Sequence, residues 1–127
     1  TSASTIRPKL YFLVFGSAAT PADQALAMQV NRFTAAGTST AVTPAPLDPA
    51  DPAALAAGGE NHTVEPTYTS ALELLRFSVN QQATYQWYAP PGGELVAPAT
   101  AANGLGLQFV TVSGGTALCE ATFHHNE

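Results

Sequence analysis

Charged side chains are scarce in this sequence. Asp, Glu, Lys and Arg make up 10% of the 127 residues, against roughly 25% in ordinary globular proteins. The net charge is -5, and the basic residues are Arg7, Lys9, Arg32 and Arg76. Nucleic-acid binding and membrane-surface binding both need clustered cations, so four scattered ones exclude both functions. A surface so poor in charge suits a protein that is packed against a partner.

Cysteine is almost absent as well. Cys119 is the single cysteine, which excludes an internal disulfide and a cysteine-based metal knuckle. Its apolar neighbours predict a small, half-buried hydrophobic residue and not a nucleophile. The longest apolar run, residues 10–15, is too short for a membrane span. No charged region followed by a long apolar stretch opens the sequence, so we expect no signal peptide and synthesis in a reducing cytoplasm.

Recognisable catalytic motifs are missing too, including the P-loop, the dinucleotide fingerprint, the nucleophile elbow and the zinc-protease motif. His124 and His125 are adjacent, so on a strand they point to opposite faces and cannot chelate one metal together. A metal site that adds His62 or Glu127, and a glycosidase-type pair of glutamates, stay open as alternatives. We predict that the protein is not an enzyme and needs no cofactor or metal, with Cys119 dispensable for any chemistry.

The sequence does contain a series of strand patterns. Residues 10–15 indicate a strand that is buried on both faces or lies at a subunit interface. Residues 25–33 alternate at the strand period, and Pro- and Gly-rich turns separate the strand patterns of the second half. This spacing predicts an all-β, jelly-roll-like β-sandwich with at most one short helix. The residues that we expect to face the core are Phe77, Val79, Trp87, Leu107, Phe109 and Phe123.

Proline is concentrated between residues 35 and 66. Because proline has no backbone N–H to donate to a strand ladder, this segment predicts a long ordered loop, with a single-turn helix near residue 52. Long loops inside compact domains usually carry a contact role. Residues 1–7 are small and polar, and they predict a flexible N-terminal arm on a single β-sandwich domain of residues 8–127.

Short segments spread over nearly the whole chain form a distinctive pattern. They are Pro21-Ala22-Asp23, Gly37-Thr38, Thr43-Pro44, Leu47-Asp48-Pro49, Glu65-Pro66-Thr67-Tyr68-Thr69, Leu74-Leu75, Asn80-Gln81-Gln82-Ala83-Thr84-Tyr85-Gln86-Trp87, Pro91-Gly92-Gly93-Glu94-Leu95-Val96, Pro98-Ala99-Thr100 and Asn103-Gly104-Leu105-Gly106. With these segments the chain resembles a group of small tailed-bacteriophage virion proteins. It departs from their pattern at Gln82 or Gln86, where a basic residue would be expected.

The resemblance implies a head decoration (cement) protein on the capsid surface of the virion, assembled in the bacterial host cytoplasm. Its partners would be the major capsid protein and copies of itself in a homotrimer, and it would have no catalytic residues. We expect the contacts to be strand edges, the residue 11–15 strand and the residue 44–66 loop. A phage neck or tail structural protein and a carbohydrate-binding β-sandwich module are the alternatives. The expected interface residues are Tyr11, Phe12, Leu13, Phe15, Leu47, Leu55 and Tyr68.

Overall fold

The structure, a computed structural model, describes residues 1–3, 5–112 and 117–127. Within these ranges it contains strands and turns but no helix, and so no helix that could cross a membrane. The strands are β1 (Lys9–Ser17), β2 (Ala25–Ala35), β3 (Thr38–Val42), β4 (Gly58–Val64), β5 (Thr67–Asn80), β6 (Tyr85–Tyr88), β7 (Leu95–Val96), β8 (Gly104–Val112) and β9 (Cys119–Asn126). The predicted turn at residues 113–116 lies outside the described residues.

The first sheet is built around β1. Strand β9 pairs with β1 along its length, and β6 and β7 pair with successive parts of β1. Phe12, for example, is opposite both Tyr88 of β6 and His124 of β9. Because a strand has two edges, β6 and β7 share the edge of β1 that β9 leaves open. All of these pairs are antiparallel.

The second sheet has the order β5-β2-β8, and it is also antiparallel. The apolar residues of β2 alternate with polar ones, as the sequence predicts, and Leu26, Met28 and Val30 are buried. Arg32 reaches from this sheet to the first, where its Nε donates to the carbonyl oxygen of Val96 at 2.9 Å. The prediction of an all-β sandwich is therefore confirmed.

The core lies between the two sheets. Phe77 stacks on Tyr85, with ring centroids 3.8 Å apart and planes 4° from parallel, and it meets the edge of Phe15. The predicted inward orientation of Phe77, Val79, Trp87 and Leu107 is confirmed, because Phe77 is buried and the others pack against the same cluster. The buried cluster consists of Leu13, Phe15, Leu26, Met28, Val30 and Phe77.

Two other predicted core residues point to the inner face but are only partly covered: Phe109 is opposite the buried Met28, and Phe123 is opposite the buried Leu13. Phe109 and Phe123 are 41% and 38% exposed. They lie on β8 and β9, which are the outermost strands of their sheets in the described part of the chain. The apolar alternation places them on the correct strands, but it does not show that these strands have only one neighbour. Phe109 keeps an edge contact with the Phe15 ring at 6.4 Å.

The proline-rich segment is not one long loop. Strands β3 and β4 continue the β2–β5 ladder as a two-stranded ribbon, so the loop is confined to residues 43–57, and no helix forms in it. The ribbon turns away from the sandwich at Gly37, which has a φ of 70°. A Cβ at this position would collide with the carbonyl oxygen of Val64. Glycine is therefore required here both by the backbone conformation and by the close approach of β4.

The first residues are not an arm that is free of the domain. Ser2 is buried, and its N–H donates to the carbonyl oxygen of Asn103 at 2.7 Å. The N–H of Ala57 donates to the carbonyl oxygen of Thr1 at 3.1 Å. These residues are small and polar, as a mobile segment would be, but their backbone groups bond to two loops of the domain.

Candidate functional site: a groove beneath the 43–57 loop

The 43–57 loop folds back onto the end of β9. The N–H groups of Leu55 and Ala56 donate to the two carboxylate oxygens of Glu127, each at 2.8 Å. Ala56 is buried where the loop meets Glu127. Earlier in the loop, the side chain of Asp48 accepts a bond from the N–H of Ala50 at 2.9 Å and closes a local turn. The loop is thus fixed both by its own turn and by a carboxylate from 71 residues further along the chain.

Glu127 is held in its charged form by these contacts. Burial acts to raise the pKa of its carboxyl group, but the hydrogen bonds from Ala56, Leu55 and His125 outweigh burial and lower the pKa below its ordinary value. The Nε2 of His125 lies 3.4 Å from Oε1 of Glu127, which is a weak contact. The loop is therefore fastened most firmly when Glu127 is ionised.

Between the loop and β9 lies a groove of about 580 Å³, which we call the loop groove. This volume is within the range of ligand and partner sites, ~300–1,000 Å³. Leu47, Leu55 and Phe123, all exposed, supply apolar surface. The lining residues are Tyr11, residues 44–47, residues 51–55 and residues 123–127.

The structure brings together three of the predicted interface residues. Tyr11, Leu47 and Leu55 all line the loop groove, and the two leucines are 74% and 62% exposed. Tyr11 is positioned by a bulge in the β1–β9 ladder, where the register shifts between Leu10 and Phe12. Residues that are far apart in the sequence thus form one continuous surface.

The other predicted interface residues lie elsewhere. Leu13 and Phe15 are 0% and 2% exposed, so the prediction that they contact a partner is wrong: their side chains fill the core. Phe12 faces outward from the same strand and lies beside Tyr88. Tyr68 is on the second sheet, where it meets the ring of Phe33. Burial, with a smaller effect of a nearby glutamate, raises its pKa.

His124 and His125 contact different groups, as adjacent residues of a strand should. The ring of His124 lies 5.0 Å from that of Phe12 and 6.0 Å from that of Tyr11, whereas His125 approaches Glu127. His62 is exposed on β4. Among residues 1–3, 5–112 and 117–127, no three metal-ligating side chains form a group that could hold a metal ion.

Cys119 packs against the core cluster from the start of β9. Burial raises the pKa of its thiol, and a hydrogen bond with Ser17 acts in the opposite direction but is the smaller effect. A thiol in this environment stays protonated at neutral pH. The prediction of a half-buried hydrophobic residue is confirmed.

Sequence patterns do not indicate the Glu127 contact. The carboxylate and its two donors lie in different segments, and no local motif links them.

We compared the chain with protein-family models, curated proteins and solved structures, and it matches none of them.

Proposed function

We propose that this chain is a decoration protein of a tailed-bacteriophage head, which binds the assembled shell and stabilises it. The observation that carries the proposal is the loop groove, where Leu47, Leu55 and Phe123 present apolar surface on a loop fastened by Glu127. Exposed apolar residues gathered on one surface are typical of a binding surface for another protein. The resemblance to small phage virion proteins supplies the identity of the partner, the major capsid protein.

A fastened loop favours binding because less conformational freedom is lost when the partner arrives. The loop contains five proline-restricted or turn-bonded positions, which are Pro44, Pro46, Pro49, Pro52 and Ala50, and proline limits the backbone before any contact forms. The low overall charge also favours binding, because few charged groups must be desolvated at a contact. Weak contacts of this kind become effective when many copies bind one shell.

The oligomer that we propose is a homotrimer. Closed rotational symmetry is the rule for assemblies of identical chains, and a trimer matches the three-fold positions at which shell subunits meet. The loop groove then contacts the shell, and the strand edges of β5 and β8 contact neighbouring copies. A neck or tail protein would carry the same kind of surface but would be present in far fewer copies.

The test is binding to shells that lack this protein. Wild-type chain is expected to co-sediment with such shells, and Leu47→Asp and Leu55→Asp are expected to weaken retention by more than about tenfold, because burying one leucine contributes roughly 1.5–3 kcal/mol. The matched control is Leu118→Asp, an equally exposed leucine outside the loop groove. Equal retention of all variants, or no retention of the wild type, would contradict the proposal.

A further inference from the structure

We infer a second binding site, for a neutral oligosaccharide, on the outer face of the first sheet. The site adjoins the loop groove at His124, which borders both, but it does not include Leu47 or Leu55, and it does not rest on the proposed function. Leu13 and Phe15 point into the core, so the alternate residues of β1, Phe12, Val14 and Gly16, point outward.

One end of this face carries a row of aromatic rings. Phe12 lies between Tyr88 on β6 and His124 on β9, with ring centroids 4.6 Å and 5.0 Å from its own. Tyr88 is 66% exposed. The face of an aromatic ring carries negative charge density and attracts the C–H groups of a sugar ring, which lie on one side of a pyranose.

The adjoining rows are polar. Gln86 and Thr122 flank Val14, and Glu120 is opposite Gly16. These side chains are exposed, and they offer an amide, a hydroxyl and a carboxylate, which together donate to and accept from sugar hydroxyls. No basic side chain is among them, and Glu120 adds a negative charge, so the face suits a neutral glycan and repels an anionic one.

Gly16 leaves a depression in this face. The cavity has a volume of about 200 Å³ and is lined in part by Thr84, Glu120 and Thr122. Phe12 and Gly16 are four residues apart, so the aromatic row and the depression are separated by ~13 Å along the strand. A short oligosaccharide spans this distance, with one ring stacked on Tyr88 and Phe12 and another placing its hydroxyls in the depression.

The experiment is an array of neutral and anionic oligosaccharides probed with the purified chain, followed by titration calorimetry with the neutral glycan that binds most tightly. Tyr88→Ala and Glu120→Ala are each expected to weaken its affinity by roughly tenfold, the loss of one stacking or charge-assisted contact. Gly16→Ala fills the depression and should also weaken binding. Its added Cβ meets only the Thr84 hydroxyl at 3.7 Å, so the fold tolerates it.

Leu47→Ala is the control, because it alters the loop groove alone and is expected to leave glycan affinity unchanged. Absence of binding to every neutral glycan, binding to anionic glycans alone, or an affinity that Tyr88→Ala leaves unchanged would overturn the inference. Glycan binding that is lost in Leu47→Ala and kept in Tyr88→Ala would place the sugar in the loop groove and overturn it equally. Shell binding by Tyr88→Ala reports on the proposed function independently.

Discussion

Glu127 anchors the loop that forms one wall of the loop groove. Both of its carboxylate oxygens accept bonds from the backbone of the 43–57 loop. An amide at this position would present an N–H₂ group to one of two N–H donors, so one bond must be lost. Hydrogen bonds to a charged group contribute about 1.5–3 kcal/mol each.

The first prediction concerns pH. Since the pKa of Glu127 is lowered in the folded chain, its stabilising contribution is fully present above the unfolded-state pKa of about 4.3. The contribution is lost as the pH falls through the lower, folded-state pKa. Amide hydrogen exchange at Leu55 and Ala56 should therefore accelerate at acidic pH, relative to the intrinsic rate.

In Glu127→Gln the same amides should exchange faster at neutral pH, and their protection should no longer depend on acid. Glu120→Gln, which changes an exposed carboxylate near the start of β9, is the control and should behave as wild type. Unchanged protection of both amides in Glu127→Gln would show that the carboxylate does not hold the loop.

Phe77 lies in the buried cluster between the two sheets. Phe77→Ala should lower the free energy of unfolding by about 3–5 kcal/mol, because it leaves a cavity between Phe15 and Tyr85. Phe123→Ala should cost less than half as much, because that ring is already 38% exposed. Chemical denaturation of both variants measures the difference, and equal losses would place Phe123 in the core after all.

At the scale of elements, the ribbon formed by β3 and β4 determines where the loop groove lies. It leaves the sandwich through the bend at Gly37, where φ is 70°. Gly92 has a similar φ of 79°, but no atom lies within 4 Å of the Cβ that a substitution would add there. The two glycines therefore separate the cost of the backbone conformation from the cost of a collision.

We predict that Gly92→Ala lowers the free energy of unfolding by about 1 kcal/mol, the usual cost of a left-handed conformation in a non-glycine residue. Gly37→Ala should cost at least 2 kcal/mol more, because the added methyl group must displace the backbone of β4. The measurement is urea denaturation of both variants. Similar losses would indicate that the ribbon adapts without strain.

The sequence predicted sandwich strands where apolar and polar residues alternate over a buried face, as in β2, or where an apolar run lies between turns, as in β1. It did not predict β3 and β4, because nearly all of their side chains are exposed and carry no such alternation. The prolines between residues 35 and 66 also favour a loop over a strand ladder. For the groove, Tyr11, Leu47 and Leu55 were identified singly from their residue types, but their meeting depends on contacts between distant segments.

In the molecule as a whole, the sandwich carries two neighbouring surfaces that meet at His124. The loop groove lies at the end of β9, and the aromatic row lies on the outer face of the first sheet. The apolar run of β1 shows why residue type alone does not locate an interface. One face of the strand, with Leu13 and Phe15, fills the core, and the opposite face carries Phe12.

We propose that this chain covers a phage head, and cryo-electron microscopy of intact virions is the most direct test. We expect density for trimers of the sandwich at the three-fold and quasi-three-fold positions of the shell, with hundreds of copies per particle. The 43–57 loop should contact the major capsid protein. Virions that lack the chain, or that carry a few copies at the neck or tail, would contradict it.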